Sequence, residues 1–235
     1  MTNTLITGAN KGLGKETARR LIAAGHTVYI GARDEARGRA TAAELGARFV
    51  RIDVTDDASV TAAAEQIAAD GGLDVLVNNA GVEPRLSDNA IPTASDESVE
   101  DVRATFETNL FGGLRVTQAF VPLLLKSPAP VIVNVSSGLA SLGMLSDPDG
   151  FTYFYRGLSY PASKAAVNAA TIQFAKAHPS IRINAVEPGF TDTDLNGHTG
   201  TQSVQEGAEI IVRMAQVGPD GPTGTFVSGH GPLPY

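Results

Sequence analysis

Seven short runs rich in β-branched residues alternate with six longer amphipathic stretches, and this alternation restricts the fold more than any single motif does. The strand candidates are Thr4–Thr7, Thr27–Gly31, Arg48–Ile52, Val75–Asn78, Val131–Val135, Arg182–Val186 and Thr225–Val227. Helical stretches fall between them at Gly12–Ala24, Asp34–Leu45, Ser59–Ala69, Ser98–Leu125, Ser159–Ala177 and Val204–Ala215. Strands joined through helices need right-handed crossovers, which build a mainly parallel sheet covered on both faces. The expected architecture is a doubly wound α/β fold of about seven strands, with residues 1–235 forming one domain. Ligands of such sheets sit beyond the carboxyl ends of the strands, where Pro, Gly and Asp gather at about 84–96, 138–157 and 189–203.

A net charge of −7 argues against a nucleic-acid backbone as partner, because that polyanion calls for a basic face. The absence of cysteine excludes disulfides, thiolate metal sites and thiol nucleophiles. His26, His178, His198 and His230 are scattered without metal-ligand spacing, so no metal is expected. No apolar run approaches the length of a membrane span, and the sequence enters a strand-like run directly after Met1-Thr2-Asn3. A cytoplasmic location is therefore expected, with no membrane partner.

The first strand leads into Thr7-Gly8-Ala9-Asn10-Lys11-Gly12-Leu13-Gly14, which opens the first helix. Gly8 permits a tight turn, Gly12 lets backbone approach a pyrophosphate, and Gly14 allows close helix–strand packing. The helix N-terminus then offers unpaired N–H groups and partial positive charge to phosphates. This is a Rossmann-like turn suited to a dinucleotide.

Tyr160 and Lys164 are four residues apart, so on a helix both project from one face. An ammonium beside a phenol favours the phenolate and tunes it for proton transfer. Tyr153 and Tyr155 are competing phenols, but Gly157 and Ser159 stand where their cation would have to be. Upstream lie Asn109 and the pair Ser136-Ser137; along an extended strand only one of two adjacent serines can face a substrate.

With six ordered motifs in their element context, nearly the whole chain resembles the short-chain dehydrogenase/reductase family, single-domain type. The motifs are the Thr7–Gly14 turn, Asn78-Asn79-Ala80-Gly81, Asn109, Val133-Asn134-Val135-Ser136-Ser137, Tyr160-Pro161-Ala162-Ser163-Lys164, and Pro188-Gly189 with Thr191 and Thr193. The resemblance implies hydride transfer between a nicotinamide and a carbonyl carbon, with Tyr160 as general acid in reduction and base in reverse. It gives Ser137, the second serine, the bond to the carbonyl oxygen, Lys164 the nicotinamide ribose, and Asn109 a relay water. It also implies cofactor contacts at Thr7, Gly8, Asn10, Lys11, Gly12, Leu13 and Gly14, at Asp53 and Val54 near the adenine, at Asn79, Ala80 and Gly81, and at Pro188, Gly189, Thr191 and Thr193. Residues Asp194–Glu209 resemble the family's mobile substrate lid.

At the tip of the second strand, Ala32 occupies the position where an acidic residue would bind a free adenosine ribose, and Arg33 follows. Arg33 and Lys11 together favour a dianionic 2′-phosphate, hence NADP(H) over NAD(H). The segment between Ser137 and Tyr160 is longer than in the commonest short members, which resembles the carbonyl-reductase branch. Its aromatic cluster Phe151–Tyr155 needs something apolar to cover. A small-molecule ketone, aldehyde or secondary alcohol is the expected partner, and monomer, dimer and tetramer all remain open. The competing function is a non-catalytic NADP(H)-binding redox sensor, which predicts loss of the tyrosine or lysine; both are present.

Overall fold

The structure, a computed structural model, describes residues 2–235. Its strands are β1 (Asn3–Thr7), β2 (Thr27–Ala32), β3 (Arg48–Arg51), β4 (Val75–Asn78), β5 (Val131–Val135), β6 (Arg182–Glu187), β7 (Phe226–Ser228) and β8 (Gly231–Pro232). They form one sheet in the order β3-β2-β1-β4-β5-β6-β7-β8. The first seven are parallel, and β8 returns antiparallel to β7. The sequence foretells about seven strands; the eighth escapes it because two residues after a Gly229-His230 turn carry no alternation to read. The strand order reverses beside β1, between β1 and β4, the switch point where such sheets open a crevice.

The helices are α1 (Gly12–Ala23), α2 (Glu35–Leu45), α3 (Asp57–Ala69), α4 (Val99–Phe106), α5 (Gly113–Leu124), α6 (Leu142–Ser146), α7 (Ser159–Ala177) and α8 (Val204–Ala215). Strand alternation feeds two cores. Leu5, Tyr29, Leu76 and Ile132 point to one face and meet Val60 and Ile67 of α3 with Val116, Phe120 and Leu124 of α5. Ile6, Ile30, Val77 and Val133 point to the other and meet Ala18 and Leu21 of α1 with Ile210, Ile211 and Met214 of α8. Each such side chain stabilises the fold by roughly 1.5–3 kcal/mol on burial.

The predicted helix over 98–125 is interrupted. Between α4 and α5 the residues Glu107–Gly112 form a π-helical turn that carries Asn109. Gly112 allows the turn to approach the loop that follows β3, since a Cβ there would stand 2.7 Å from Val54 Cγ2. The segment read as a loop over 138–157 also holds structure: a 3₁₀ turn at Gly138–Ala140, then α6, then a second 3₁₀ turn at Phe151–Phe154.

Candidate active site

The N-terminus of α1 is open. Asp34, Asp56, Ser98, Ser141 and Ser203 cap α2, α3, α4, α6 and α8, and the Glu97 carboxylate accepts from the Leu158 and Ser159 N–H groups at the start of α7. At α1 the N-cap is Lys11, whose side chain caps nothing, and the first turn holds no acid. Orphan N–H groups with the helix dipole behind them fit a phosphate. The glycines fit it too: Gly8 and Gly12 have φ of 64° and 52°, and a Cβ at Gly14 would lie 2.8 Å from Gly8 O and 2.9 Å from Ala9 Cα. Above Gly12 the space is clear up to Thr193 Cγ2 at 3.6 Å. The turn, by its donors and its cradle, accommodates a dinucleotide.

Several predicted cofactor residues serve the turn itself. The buried Thr7 hydroxyl accepts from the Asn79 and Ala80 N–H groups at 3.0 Å each, and Asn79 Nδ2 donates to Thr7 O at 2.9 Å. The motif after β4 is thereby fastened to the turn after β1. The Asn10 carbonyl accepts from Thr41 Oγ1. Val54 turns its side chain inward, against Gly112. Lys11 Nζ pairs with Asp194 Oδ2 at 2.7 Å, tying the turn to the stretch expected to act as a lid. Arg33 is exposed beyond β2, and the neighbouring Asp34 accepts from Arg37 N as the cap of α2. Burial pushes Asp53 up, but bonds from Thr55 and the charges of Arg33 and Arg115 outweigh it and hold the carboxyl below its usual range. Gly189, with φ of 83°, turns the chain after β6, and Gln202 donates to Pro188 O and to Thr191 Oγ1.

The tetrad assembles at the carboxyl end of β5 and the first turns of α7. Tyr160 is 8% exposed, Lys164 4% and Asn109 5%. Lys164 Nζ donates to the Val135 carbonyl at 2.8 Å and lies 5.7 Å from the centre of the Tyr160 ring. Asn109 holds the chain after Gly81: its Oδ1 accepts from Val82 N at 2.8 Å and its Nδ2 donates to Val82 O at 2.9 Å. The same Nδ2 donates to Ser163 Oγ, which donates to Tyr160 O. The Asn109 side chain therefore clamps this segment to α7. A cavity of about 30 Å³ lies beside it, lined by Asn78, Thr108, Asn109, Val135 and Lys164 among others, and Asn78 Oδ1 lacks a hydrogen-bond partner. That volume admits a water.

The two serines divide as strand alternation requires. Ser136 is buried and donates to Asn168 Oδ1 at 2.7 Å, whereas Ser137 is half-buried, accepts from Leu139 N at 3.2 Å and stands near enough to the Tyr160 phenol to influence it. Burial, followed by the charge of Glu83, raises Tyr160 above the ordinary phenol value; the nearby Ser137 hydroxyl acts the other way without prevailing, and Glu187 adds to the rise. The phenol is therefore protonated, where the Tyr-Lys spacing alone led one to expect a lowered value. Burial takes Lys164 down to about 8. Glu187 ends β6, accepts from Gly189 N at 2.7 Å and is raised by burial.

Sequence reasoning missed Glu83, Arg85, Tyr155 as a partner, and Glu187. Glu83 pairs with Arg85 and accepts the Tyr155 hydroxyl at 3.0 Å. The only signal for it was a charge two residues after Asn78-Asn79-Ala80-Gly81, where the chain enters the site.

A parallel sheet with an open helix N-terminus and a Tyr-Lys-Ser-Asn cluster at one crevice defines a nucleotide-binding oxidoreductase class. The chain belongs to the short chain dehydrogenase family, which residues 2–203 match. It is 35% identical over 280 aligned positions to a (+)-neomenthol dehydrogenase of Arabidopsis thaliana, covering 95% of each chain. Salutaridine reductase from Papaver somniferum superposes with a TM-score of 0.85 at 29% identity, covering 96% of this chain and 99% of that one. An NADPH-bound carbonyl reductase from chicken fatty liver superposes with a TM-score of 0.87 at 26% identity, covering 100% and 99%. Among the described residues, no helix is long and apolar enough to cross a membrane.

Proposed function

We propose that this chain is an NADP(H)-dependent carbonyl reductase, equally a secondary-alcohol dehydrogenase in reverse, acting on an apolar ketone. The observation that carries the reading is the buried Tyr160 phenol with the buried Lys164 ammonium 5.7 Å from the centre of its ring and Ser137 nearby. The dinucleotide would rest on the Gly8–Gly14 turn and the α1 N-terminus, with Arg33 at the adenosine end and Lys164 at the nicotinamide ribose. When bound, it supplies or takes up the hydride.

The protein's own residues move the proton. Tyr160, held protonated by burial, gives its proton to the carbonyl oxygen as negative charge develops there. Ser137 Oγ–H donates to the same oxygen and stabilises that charge. The Lys164 ammonium stabilises the phenolate left behind. Its proton is lost near pH 8, so reduction weakens as pH rises through that value. Lys11, released from Asp194, and Arg33 would supply cations to a 2′-phosphate, and the charge of the neighbouring Asp34 is paired with Arg37.

The rim argues for an apolar substrate. Phe151, Phe154, Phe190 and Leu195 are exposed, and the Phe151 and Phe190 rings stand 6.3 Å apart. The relatives act, by their names, on neomenthol and salutaridine. The test is a panel of cyclic, aryl and aliphatic ketones with NADPH or NADH, followed at 340 nm. Tyr160→Phe should lose at least about a hundredfold in kcat with cofactor affinity kept. Arg33→Asp should shift the NADPH/NADH ratio of kcat/KM toward NADH by tenfold or more, on the order of 1.4 kcal/mol. A wild-type chain that binds NADPH and reduces nothing in the panel would overturn the reading.

A further inference from the structure

Beyond β4 the chain bends at Gly81 and then turns two opposite charges inward. The Glu83 side chain is 7% exposed and that of Arg85 19%. One Glu83 oxygen pairs with Arg85 Nη2; the other accepts the Tyr155 hydroxyl at 3.0 Å. Tyr155 belongs to the segment between Ser137 and α7, and a Cβ on Gly157 would stand 2.8 Å from its ring, so that glycine makes room for it. Arg85 Nη1 donates to Asn89 O, which fixes the guanidinium from behind.

The position of this cluster is set from the catalytic side. Asn109 grips Val82, the residue before Glu83, through both its N–H and its C=O. A Cβ on Gly81 would lie 3.5 Å from Lys164 Nζ. The Glu83 carboxylate thus lies two residues from a glycine set against Lys164, and its charge reaches both Tyr160 and Lys164. Lys164 is buried and its hydrogen bond goes to a carbonyl dipole rather than to an anion. A buried ammonium in that setting loses its proton readily unless a negative charge lies near.

We propose that Glu83 is a positioning residue that keeps Lys164 positively charged beside Tyr160, and that Tyr155 and Arg85 clamp it there. The segment over 138–157, which sends Phe151 and Phe154 to the rim, thereby also contributes to the catalytic centre through Tyr155. The proposal rests on the reading of Tyr160 and Lys164 as the acid–base pair. The groups around that pair are Glu83 and Arg85 after β4, Ser137 after β5, Tyr155 before α7 and Glu187 at the end of β6. Of these, Glu83 is the charge that opposes the effect of burial on Lys164. Glu187 faces Tyr160 instead, and burial favours its neutral form. Arg85 opposes Glu83 at Tyr160 with the smaller effect.

The test titrates lysine side chains by NMR in the intact chain labelled with ¹³C at Cε, using Lys164→Met to assign the resonance. Glu83→Gln should move the Lys164 titration down by about one pH unit. Glu83→Asp, which keeps the charge, should leave it near the wild-type value, and Arg85→Met should move it up. Circular dichroism checks that each variant folds. An unmoved titration in folded Glu83→Gln overturns the proposal. Should that variant not fold, Arg85→Met decides: a rise supports the assignment and no rise overturns it. With NADPH and a ketone reduced in the panel, the alkaline limb of kcat/KM should follow the same shifts. The titration needs neither substrate nor cofactor, so a chain inert toward every ketone would sink the proposed function and leave this measurement to judge Glu83 separately.

Discussion

Lys164 is a costly residue for the fold. Its ordinary value of 10.5 falls to about 8 in the folded chain because burial penalises the ammonium. The folded chain sheds this proton near pH 8, while the unfolded one keeps it up to 10.5. Between those values the unfolded state holds more protons, so stability from this group rises with pH. Below about 8 the full penalty stands, on the order of 3 kcal/mol. Lys164→Met should therefore raise stability at pH 7 by about 2 kcal/mol after loss of the Val135 bond, while abolishing reduction. Urea denaturation at pH 7 and at pH 10 checks this: the gain should shrink at the higher pH, and a less stable variant at pH 7 would refute it. At this scale Tyr160 and Lys164 were legible because they share one face of α7, and Ser137 because the extended chain just past β5 keeps the alternation of the strand. It was silent on Glu83, Arg85 and Tyr155, which meet through irregular chain from stretches about 70 residues apart.

The π-helical turn shows what element-level reading leaves out. Ser98 opens the region with a capping box to Asp101, and the apolar pattern then continues to Leu125, so a single helix is the natural expectation. One altered hydrogen-bonding register inside it does not change that pattern enough to see, yet it sets where Asn109 points. Gly112 is the residue that lets the turn settle on β3's outgoing loop. Gly112→Ala would place a Cβ 2.7 Å from Val54 Cγ2 and 3.0 Å from Val54 Cβ. The expected cost is about 1–3 kcal/mol, with kcat reduced because the Asn109 grip on Val82 is displaced. Differential scanning calorimetry and turnover assays measure both. Retained melting temperature together with retained turnover would show that the turn is not braced there. Elements with ordinary caps, such as α2 behind Asp34 and α8 behind Ser203, matched their predicted spans to within a residue.

Across the whole molecule, the sheet order and its two helical layers follow from the strand–helix alternation, and the crevice follows from the order. What the alternation does not contain is the bond that joins distant parts over the crevice, Lys11 to Asp194. Both partners are more than half exposed, so the pair contributes little to stability. Its consequence under the proposed function is for binding: a 2′-phosphate bound by Lys11 would have to take it from Asp194. Asp194→Asn should leave the melting temperature nearly unchanged and tighten NADPH binding by roughly threefold, less than 1 kcal/mol. Fluorescence titration measures it, and weaker binding would contradict the competition. The open amides at the head of α1 carry a last implication. Folding delivers a helix whose opening turn its own N-cap side chain does not finish. An anion that finished it would bind the native form alone, so the protein's endurance against heat or proteolysis would gauge how much of that anion surrounds it.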